Sequence, residues 1–498
     1  MAEQKIKRVV IAGGGTAGWV VAAALSKLLQ PLLDVVLVES DEIGTVGVGE
    51  STIPTARTFH HLLGIDEREF MKATGSAFKL GISFEDWARI GDLYFHSFGQ
   101  IGRSTWMADF HHIWLSAREQ GLADELGAYC FELQAAKAER FATSDQANIN
   151  YAYHLDAGHY ARFLRAFAES HGARRIEGRI LDAEQDGASG HVTALRLQSG
   201  ERVEGDLFID CTGFRGLLIE QLMKSGWEDW SHWLATDTGL AVQTRSIGPA
   251  LPYTRAMAHD AGWQWRIPLQ HRVGNGLVYS SAHLSDDEAR HRLVGSIEGE
   301  MVTEPRLIRF RSGRRRNAWV KNVVAFGLSS GFVEPLESTS IHLFMIGVTR
   351  LIQLFPFGGI SESVVARYNQ LAAGEAERIR DFIILHYKAT ERDDSAFWRH
   401  CRDLEVPETL AQRIALFREG GIAYQASEDL FRVDSWVQVM LGQRIEPRSW
   451  HGMGALMSPA QLRQALGDMK ANISAAVARL PRHQDFLTAY CSASAAAA

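Results

Sequence analysis

Arg8-Val9-Val10-Ile11-Ala12-Gly13-Gly14-Gly15-Thr16-Ala17-Gly18 reads as a strand, a glycine turn and the start of a helix. Val9 to Ala12 has the apolar character of a buried parallel strand, Gly13, Gly15 and Gly18 satisfy G-x-G-x-x-G, and Ala17 to Leu29 is rich in helix formers and free of proline. Further on, Val35-Val36-Leu37-Val38 forms a second buried run that ends in Glu39. A bare glycine pattern is weak evidence, but this order is the context in which a helix N-terminus receives a pyrophosphate and an acid grips a ribose. An α/β fold organised around a nucleotide follows.

The chain has 498 residues, 46% hydrophobic and 22% charged, which are ordinary globular values and allow about three domain-sized units. Its net charge of -7 argues against a nucleic-acid surface. Arg309, Arg311, Arg314, Arg315 and Arg316 form the one basic cluster, which reads as a solvated loop. Cys130, Cys211, Cys401 and Cys491 are far apart, disfavouring zinc and a disulfide framework and fitting a reducing cytoplasm. No apolar run suits a bilayer, so no membrane association is expected.

Beyond the fingerprint, Gly44 to Pro54 is a glycine-rich loop able to press its backbone against a ligand. Phe78 to Phe84 alternates like one short strand, with Lys79 facing away from Phe78 and Leu80. Residues 85 to 150 read as an aromatic wall outside the sheet. Tyr160 to Ser170 is helical, and strands are expected at 174–183, 191–197, 202–204, 207–210 and 322–326. Ser338 to Phe355 is apolar almost all round and reads as a buried helix, followed by an amphipathic helix to Ala389.

Three constellations invite chemistry. Gly327-Leu328-Ser329-Ser330-Gly331 fits G-x-S-x-G but lacks the helix that a nucleophile elbow needs, so a glycine turn against a cofactor is the better reading. Ser338-Thr339-Ser340 opens the buried helix, whose free amides suit a small anion, although plain capping explains the same residues. His60-His61, His111-His112, His154 and His159 have no metal-ligand spacing. Trp263 and Trp265 share one face of a strand, where core packing is the default.

Together the glycine fingerprint, Phe78-Lys79-Leu80-Gly81, Gly262-Trp263-Gln264-Trp265-Arg266-Ile267-Pro268 and Glu334-Pro335-Leu336-Glu337-Ser338-Thr339 resemble the flavin-dependent tryptophan halogenases, from about residue 5 to 355. The resemblance implies a Rossmann-like FAD-binding fold of the flavin monooxygenase and halogenase kind. Its FAD module would span 1–355, interleaved with aromatic-rich substrate insertions at about 80–155 and 226–310. A helical C-terminal module would cover 356–490 and a disordered tail 491–498. It further implies that reduced FAD, supplied as FADH2 by a separate NADH-dependent flavin reductase, uses O2 to convert chloride or bromide into hypohalous acid. FAD would contact Gly13, Gly15, Thr16, Ala17, Gly18, Glu39, Gly49, Ser51, Ile180, Leu328 and Ile341, and halide would contact Thr339 and Ser340. Lys79 and Glu337 would be catalytic, with His96, Phe98, Trp263 and Trp265 sandwiching a small aromatic substrate. The strap between the two chambers would be Gly47 to Pro54, and homodimer assembly is left open.

Two departures bear on specificity. Ser340 stands where the tryptophan-specific enzymes have glycine, which points to altered halide preference. No Tyr- and Glu-bearing segment that would clamp a free amino acid is recognisable, because residues 425–455 offer Trp436 and Trp450 in an otherwise polar stretch. Indole or an indole derivative is therefore expected rather than free tryptophan. A monooxygenase or epoxidase without halide use, and a non-enzymatic flavin-binding protein, remain the alternatives.

Overall fold

In the computed structural model, which describes residues 5–42, 49–144 and 148–493, the fingerprint strand Arg8–Ala12 is the middle of a six-stranded sheet. The order is Trp319–Val320, Val323–Ala325, Leu207–Asp210, Arg8–Ala12, Asp34–Glu39, Arg174–Glu177, parallel except for the outer pair at Trp319–Val320. Val9, Val10, Ile11 and Ala12 are wholly buried, as expected of a strand covered on both faces. The helix Thr16–Leu29 packs on it, and the helix Ser340–Gln353 packs in turn on that helix.

A second, seven-stranded sheet carries the aromatic residues. Its order is Arg306–Arg309, Thr238–Arg245, Arg272–Tyr279, Gly262–Pro268, Thr254–His259, Gly81–Glu85, Leu93–Ser97. Residues 85–150 therefore do not stand wholly outside the sheet, since Leu93–Ser97 closes its edge against Gly81–Glu85. A small antiparallel sheet, Gly49–Ser51, Ala152–Asp156, Ala77–Lys79, lies between these bodies. The segment expected as one strand over 78–84 is two strands in different sheets, broken at Leu80. There the chain leaves Ala152–Asp156, and Leu80 donates its N–H to Pro252 O at 2.7 Å instead. The expected strand over 174–183 also splits: Arg174–Glu177 joins the central sheet and Ile180–Gln185 a separate three-stranded one.

The long amphipathic helix Glu362–Lys388 lays Phe382, Ile383 and His386 against the aromatic face of the seven-stranded sheet. Four of the five clustered arginines are neutralised by carboxylates, Arg309 by Asp286, Arg311 by Asp229, Arg314 by Glu228 and Glu377, and Arg315 by Glu220. Among the described residues no helix is long and apolar enough to cross a membrane.

Gly81 makes the sheet change possible. A methyl there would lie 2.5 Å from His96 O and 2.8 Å from Ser97 Cα, both backbone atoms that cannot swing aside. Gly81→Ala is expected to cost about 1–3 kcal/mol of stability, read as a lowered melting temperature; an unchanged melt would contradict the close approach.

Candidate functional site

The glycine turn forms one half of the site. Gly13 has φ +108°, and a methyl on it would sit 2.4 Å from the Cys211 carbonyl oxygen. At Gly18 the added methyl would meet Gly13 O at 2.0 Å, whereas nothing lies within 4 Å of Gly15 on that side. Helix and strand thus close on each other at 13 and 18 while the turn opens outward at 15. Gly15 is the N-cap of Thr16–Leu29, with no side-chain cap and no acid in the first turn, so the first amides stay free for an anion. This uncapped cradle fits the diphosphate of FAD.

Of the other expected flavin contacts, Glu39 and Leu328 adjoin it. Ala17 packs against the turn at Gly327, where a methyl would come within 2.7 Å of its Cβ, which brings Leu328 to the fingerprint. Thr16 Oγ1 lies 3.5 Å from Ala157 O. Glu39 ends its strand with the carboxylate over Gly14, held by Arg175 Nε at 2.6 Å and by the Trp19 indole N–H at 3.4 Å. Arg175 was not visible as a partner in the sequence. Gly178 N–H donates to Glu39 O at 2.9 Å, which places nearby Ile180 beside the end of the Glu39 strand. Gly49 touches the backbone of Gly274, and Ser51 lies 3.5 Å from Thr254 Oγ1. Gly47 and Val48, the first residues of the expected strap, are outside the described residues.

Ser329 of the G-x-S-x-G stretch is buried and donates to Asp210 Oδ1 at 3.1 Å and Gly213 O at 3.0 Å. Ser329 ends the short 3-10 turn Gly327–Ser329, and the strand Gly331–Phe332 follows rather than a helix, which removes the nucleophile reading.

Lys79 ends its strand with no exposed surface. Its Nζ donates to Ser338 Oγ at 2.9 Å and Thr52 O at 3.3 Å, and it sits 5.1 Å from the centre of the Phe98 ring. Burial pulls the amine down to about 7, partly opposed by the Glu337 carboxylate. Lys79 is therefore present as both ammonium and amine near neutral pH.

Glu337 is equally buried, at the end of the turn Pro335–Glu337. His96 Nδ1 lies 2.8 Å from Oε2, and His386 Nε2 approaches Oε1 to 2.9 Å. Burial alone would raise this carboxyl, but the two imidazoles outweigh it and hold it at about 2. His386 directs Nδ1 to Phe382 O at 2.9 Å, which fixes the ring with its Nε2 edge toward Glu337. His386 is a member of the site that sequence reading missed. Glu334 is another: it receives hydrogen bonds from Thr236 and Tyr387, and burial still pushes its carboxyl up.

Between Glu337 and the buried helix, Ser338 adopts φ +59°, a left-handed conformation uncommon outside glycine. Thr339 is the N-cap of Ser340–Gln353 but makes no side-chain cap, leaving the first-turn amides without that acceptor. Simple capping therefore does not explain Thr339. Ser340 and Leu328 line one cavity of about 80 Å³ together with Gly327, Phe344 and Arg315. The side chain of Ile341 is in the core, leaving its backbone as the part available to a ligand.

The expected aromatic sandwich is only partly assembled. His96 and Phe98 stand together, with ring centres 6.5 Å apart, and Lys79 faces Phe98. Trp263 and Trp265 lie on Gly262–Pro268, separated from the His96 strand by Thr254–His259 and Gly81–Glu85. Three strand spacings amount to about 14 Å between backbones, and the two indoles are engaged elsewhere. Trp265 instead covers Gly276, and Trp263 lies 6.3 Å from Trp87 in a buried cluster. The histidine pairs are structural in the same sense: His60 bonds Tyr160 OH at 2.7 Å and His111 bonds Gly421 O at 2.7 Å.

Compared with known proteins, residues 8–459 match the family model described as tryptophan halogenase. The chain is 36% identical over 450 residues to the tryptophan 7-halogenase RebH of Lentzea aerocolonigenes, covering 85% of this chain and 84% of that one. A flavin-dependent halogenase structure from Xanthomonas campestris superimposes with a TM-score of 0.97 at 54% identity, covering 99% of this chain and 100% of the other. BrvH, a flavin-dependent halogenase from Brevundimonas sp. BAL3, gives 0.94 at 45%, covering 98% and 99%.

The Lys79 environment has a measurable thermodynamic signature. The unfolded chain, with an ordinary lysine near 10.5, binds more protons than the folded one between pH 7 and 10.5, so this group makes stability rise with pH across that window. Lys79→Met should raise the melting temperature most at pH 7 and below, with the gain fading toward pH 10. Equal shifts at pH 7 and pH 10 would contradict a desolvated amine.

Proposed function

Because the chain belongs to the tryptophan halogenase family and is a flavin-dependent halogenase using FADH2, O2 and a halide, we propose that it halogenates an electron-rich arene, indole or an indole derivative rather than free tryptophan. The observation that carries this reading is the sealed Lys79 amine on Ser338 Oγ, opposite a carboxylate pinned by two imidazoles.

Bound FADH2 would supply two of the four electrons that reduce O2, halide supplying the other two as it becomes hypohalous acid with release of water. Gly13, Gly15, Thr16, Ala17, Gly18, Glu39, Gly49, Ser51, Ile180, Leu328 and Ile341 would hold the flavin, and the free amides and hydroxyls at Thr339 and Ser340 would hold the halide.

Lys79 receives the hypohalous acid in one of its two protonation states. As ammonium it donates to the oxygen and polarises the oxygen–halogen bond. As amine it forms a nitrogen–halogen bond while that oxygen–halogen bond breaks, and hydroxide leaves with the amine proton as water. Attack by the ring carbon then forms the carbon–halogen bond and places positive charge on the arene, as the oxygen–halogen bond breaks to water with a proton from the ammonium, or as the nitrogen–halogen bond of the protonated haloamine breaks to free amine. Glu337, ionised across the working range, stabilises that charge and accepts the ring proton; a weak base suffices because the arenium ion is strongly acidic. His96 and His386 orient the carboxylate.

Support for a substrate without an amino-acid handle comes from the C-terminal module. Trp436 is buried against Phe382 and under Arg413, and Trp450 belongs to a separate cluster with Trp114, so neither stands free as a clamp. The aromatic surroundings of His96 are Phe98, Phe382 and Phe431, which suit an uncharged ring. The four free cysteines suit a cytoplasmic enzyme, and the single glycine fingerprint suits electron delivery by a separate NADH-dependent reductase.

A screen of bromide and chloride against indole, substituted indoles and tryptophan, with a flavin reductase, NADH and FAD, tests the substrate reading. Haloindole formation exceeding halotryptophan formation supports it, and the reverse order overturns it. Lys79→Ala should lower arene halogenation by at least about 100-fold while flavin oxidation continues; halogenation at the parental rate would remove Lys79 from the chemistry.

A further inference from the structure

The strand bearing Lys79 is edged on one side only by regular pairing. Ala77, Phe78 and Lys79 oppose His154, Tyr153 and Ala152, and among the described residues no strand flanks the other edge. Just beyond, Gly81–Glu85 runs parallel to Thr254–His259, with Ile82 opposite Thr254, and the ladder continues backward through Leu80 N–H to Pro252 O at 2.7 Å. One step further back, Phe78 N–H and Ala250 O are each bonded to a side chain instead.

His483, the first residue of the C-terminal helix His483–Cys491, fills that gap. Its Nε2 accepts from Phe78 N–H at 3.3 Å, and its Nδ1–H donates to Ala250 O at 2.7 Å. The imidazole stands in for a missing rung. Gln484 completes the junction by accepting Ala250 N–H at 3.2 Å, and His483 N–H is itself anchored on Glu139 O at 2.8 Å. Phe78 is locked from the same side, stacked on Phe141 at 4.2 Å with Phe486 of the helix at 5.7 Å.

We propose that His483 is a positioning residue for Lys79, acting as an inserted rung that fixes the backbone on which the amine stands. Lys79 lies between the His483 rung at Phe78 and the Pro252 rung at Leu80. Rotation of this segment would carry Nζ away from Ser338 and Thr52. The role requires a neutral ring, with one donor and one acceptor, and burial keeps the imidazole neutral by holding it at about 4. A protonated ring would turn an N–H toward the N–H of Phe78.

The inference rests on the role proposed above for Lys79, so Lys79→Ala is run in parallel with His483→Leu and His483→Gln in the full-length protein. Glutamine keeps one acceptor and one donor; leucine keeps neither. The measurements are FAD binding, flavin oxidation rate, kcat and KM for bromination of indole, hypohalous acid caught by a soluble dione trap, and amide hydrogen exchange of residues 76–82 in flavin-free protein. For His483→Leu the expected result is at least a tenfold fall in kcat with little change in KM, FAD binding or flavin oxidation. Trapped hypohalous acid should increase, and exchange at Phe78 should accelerate. His483→Gln should restore kcat to within threefold of the parent. A leucine variant that brominates at the parental rate overturns the proposal, as does one that loses FAD binding and flavin oxidation in step with halogenation. If Lys79→Ala brominates normally, the role of Lys79 fails; if it is inactive while His483→Leu is not, only the positioning role fails.

Discussion

Two opposite charges removed from water govern this protein. Lys79 and Glu337 are both fully buried, and taking such groups out of water costs several kcal/mol per ion, to be offset only by close partners. The offsets are unequal. Glu337 has an imidazole at each oxygen and stays ionised, while Lys79 has one hydroxyl and one carbonyl and loses much of its basicity. That asymmetry suits a chamber that must keep one permanent anion and one amine able to exchange its proton.

Delivering those groups to one chamber requires several remote segments. Lys79 arrives at the end of a three-residue strand, and the next residue belongs to another sheet. Glu337 arrives from the turn before the buried helix, His96 from the edge of the aromatic sheet, and His386 from the long helix across it. The strained Ser338 joins two functions: its hydroxyl receives Lys79, and its backbone turns the chain from Glu337 into the helix whose open N-terminus faces the proposed halide position. Fixing so many partners limits where a small diffusible oxidant can meet the arene.

Local signals made much of this legible. The fingerprint, the Glu39 strand, the buried helix and the Trp263 strand follow from periodicities and glycine patterns that short segments carry by themselves. Lys79 and Glu337 were named through a family resemblance, and the structure brings both into one buried neighbourhood. The expected sandwich joins His96 to Trp263 and Trp265 across two intervening strands, which spacing along the chain does not show. Strand order is a property of the whole chain. The break at Leu80 escaped for a related reason: alternation over Phe78 to Phe84 continues smoothly through a change of sheet.

What the sequence by itself determined was the nucleotide cradle and the α/β class. These rest on contacts between residues a few positions apart, where glycine, β-branched and apolar residues state their preferences directly. Tertiary structure alone decided that His386 completes the grip on Glu337, that Arg175 holds Glu39, and that His483 bridges Phe78 to Ala250. Each of these pairs joins groups dozens to hundreds of residues apart through one or two hydrogen bonds or ion contacts. Such bonds leave no periodicity in the chain, and only the folded geometry specifies them.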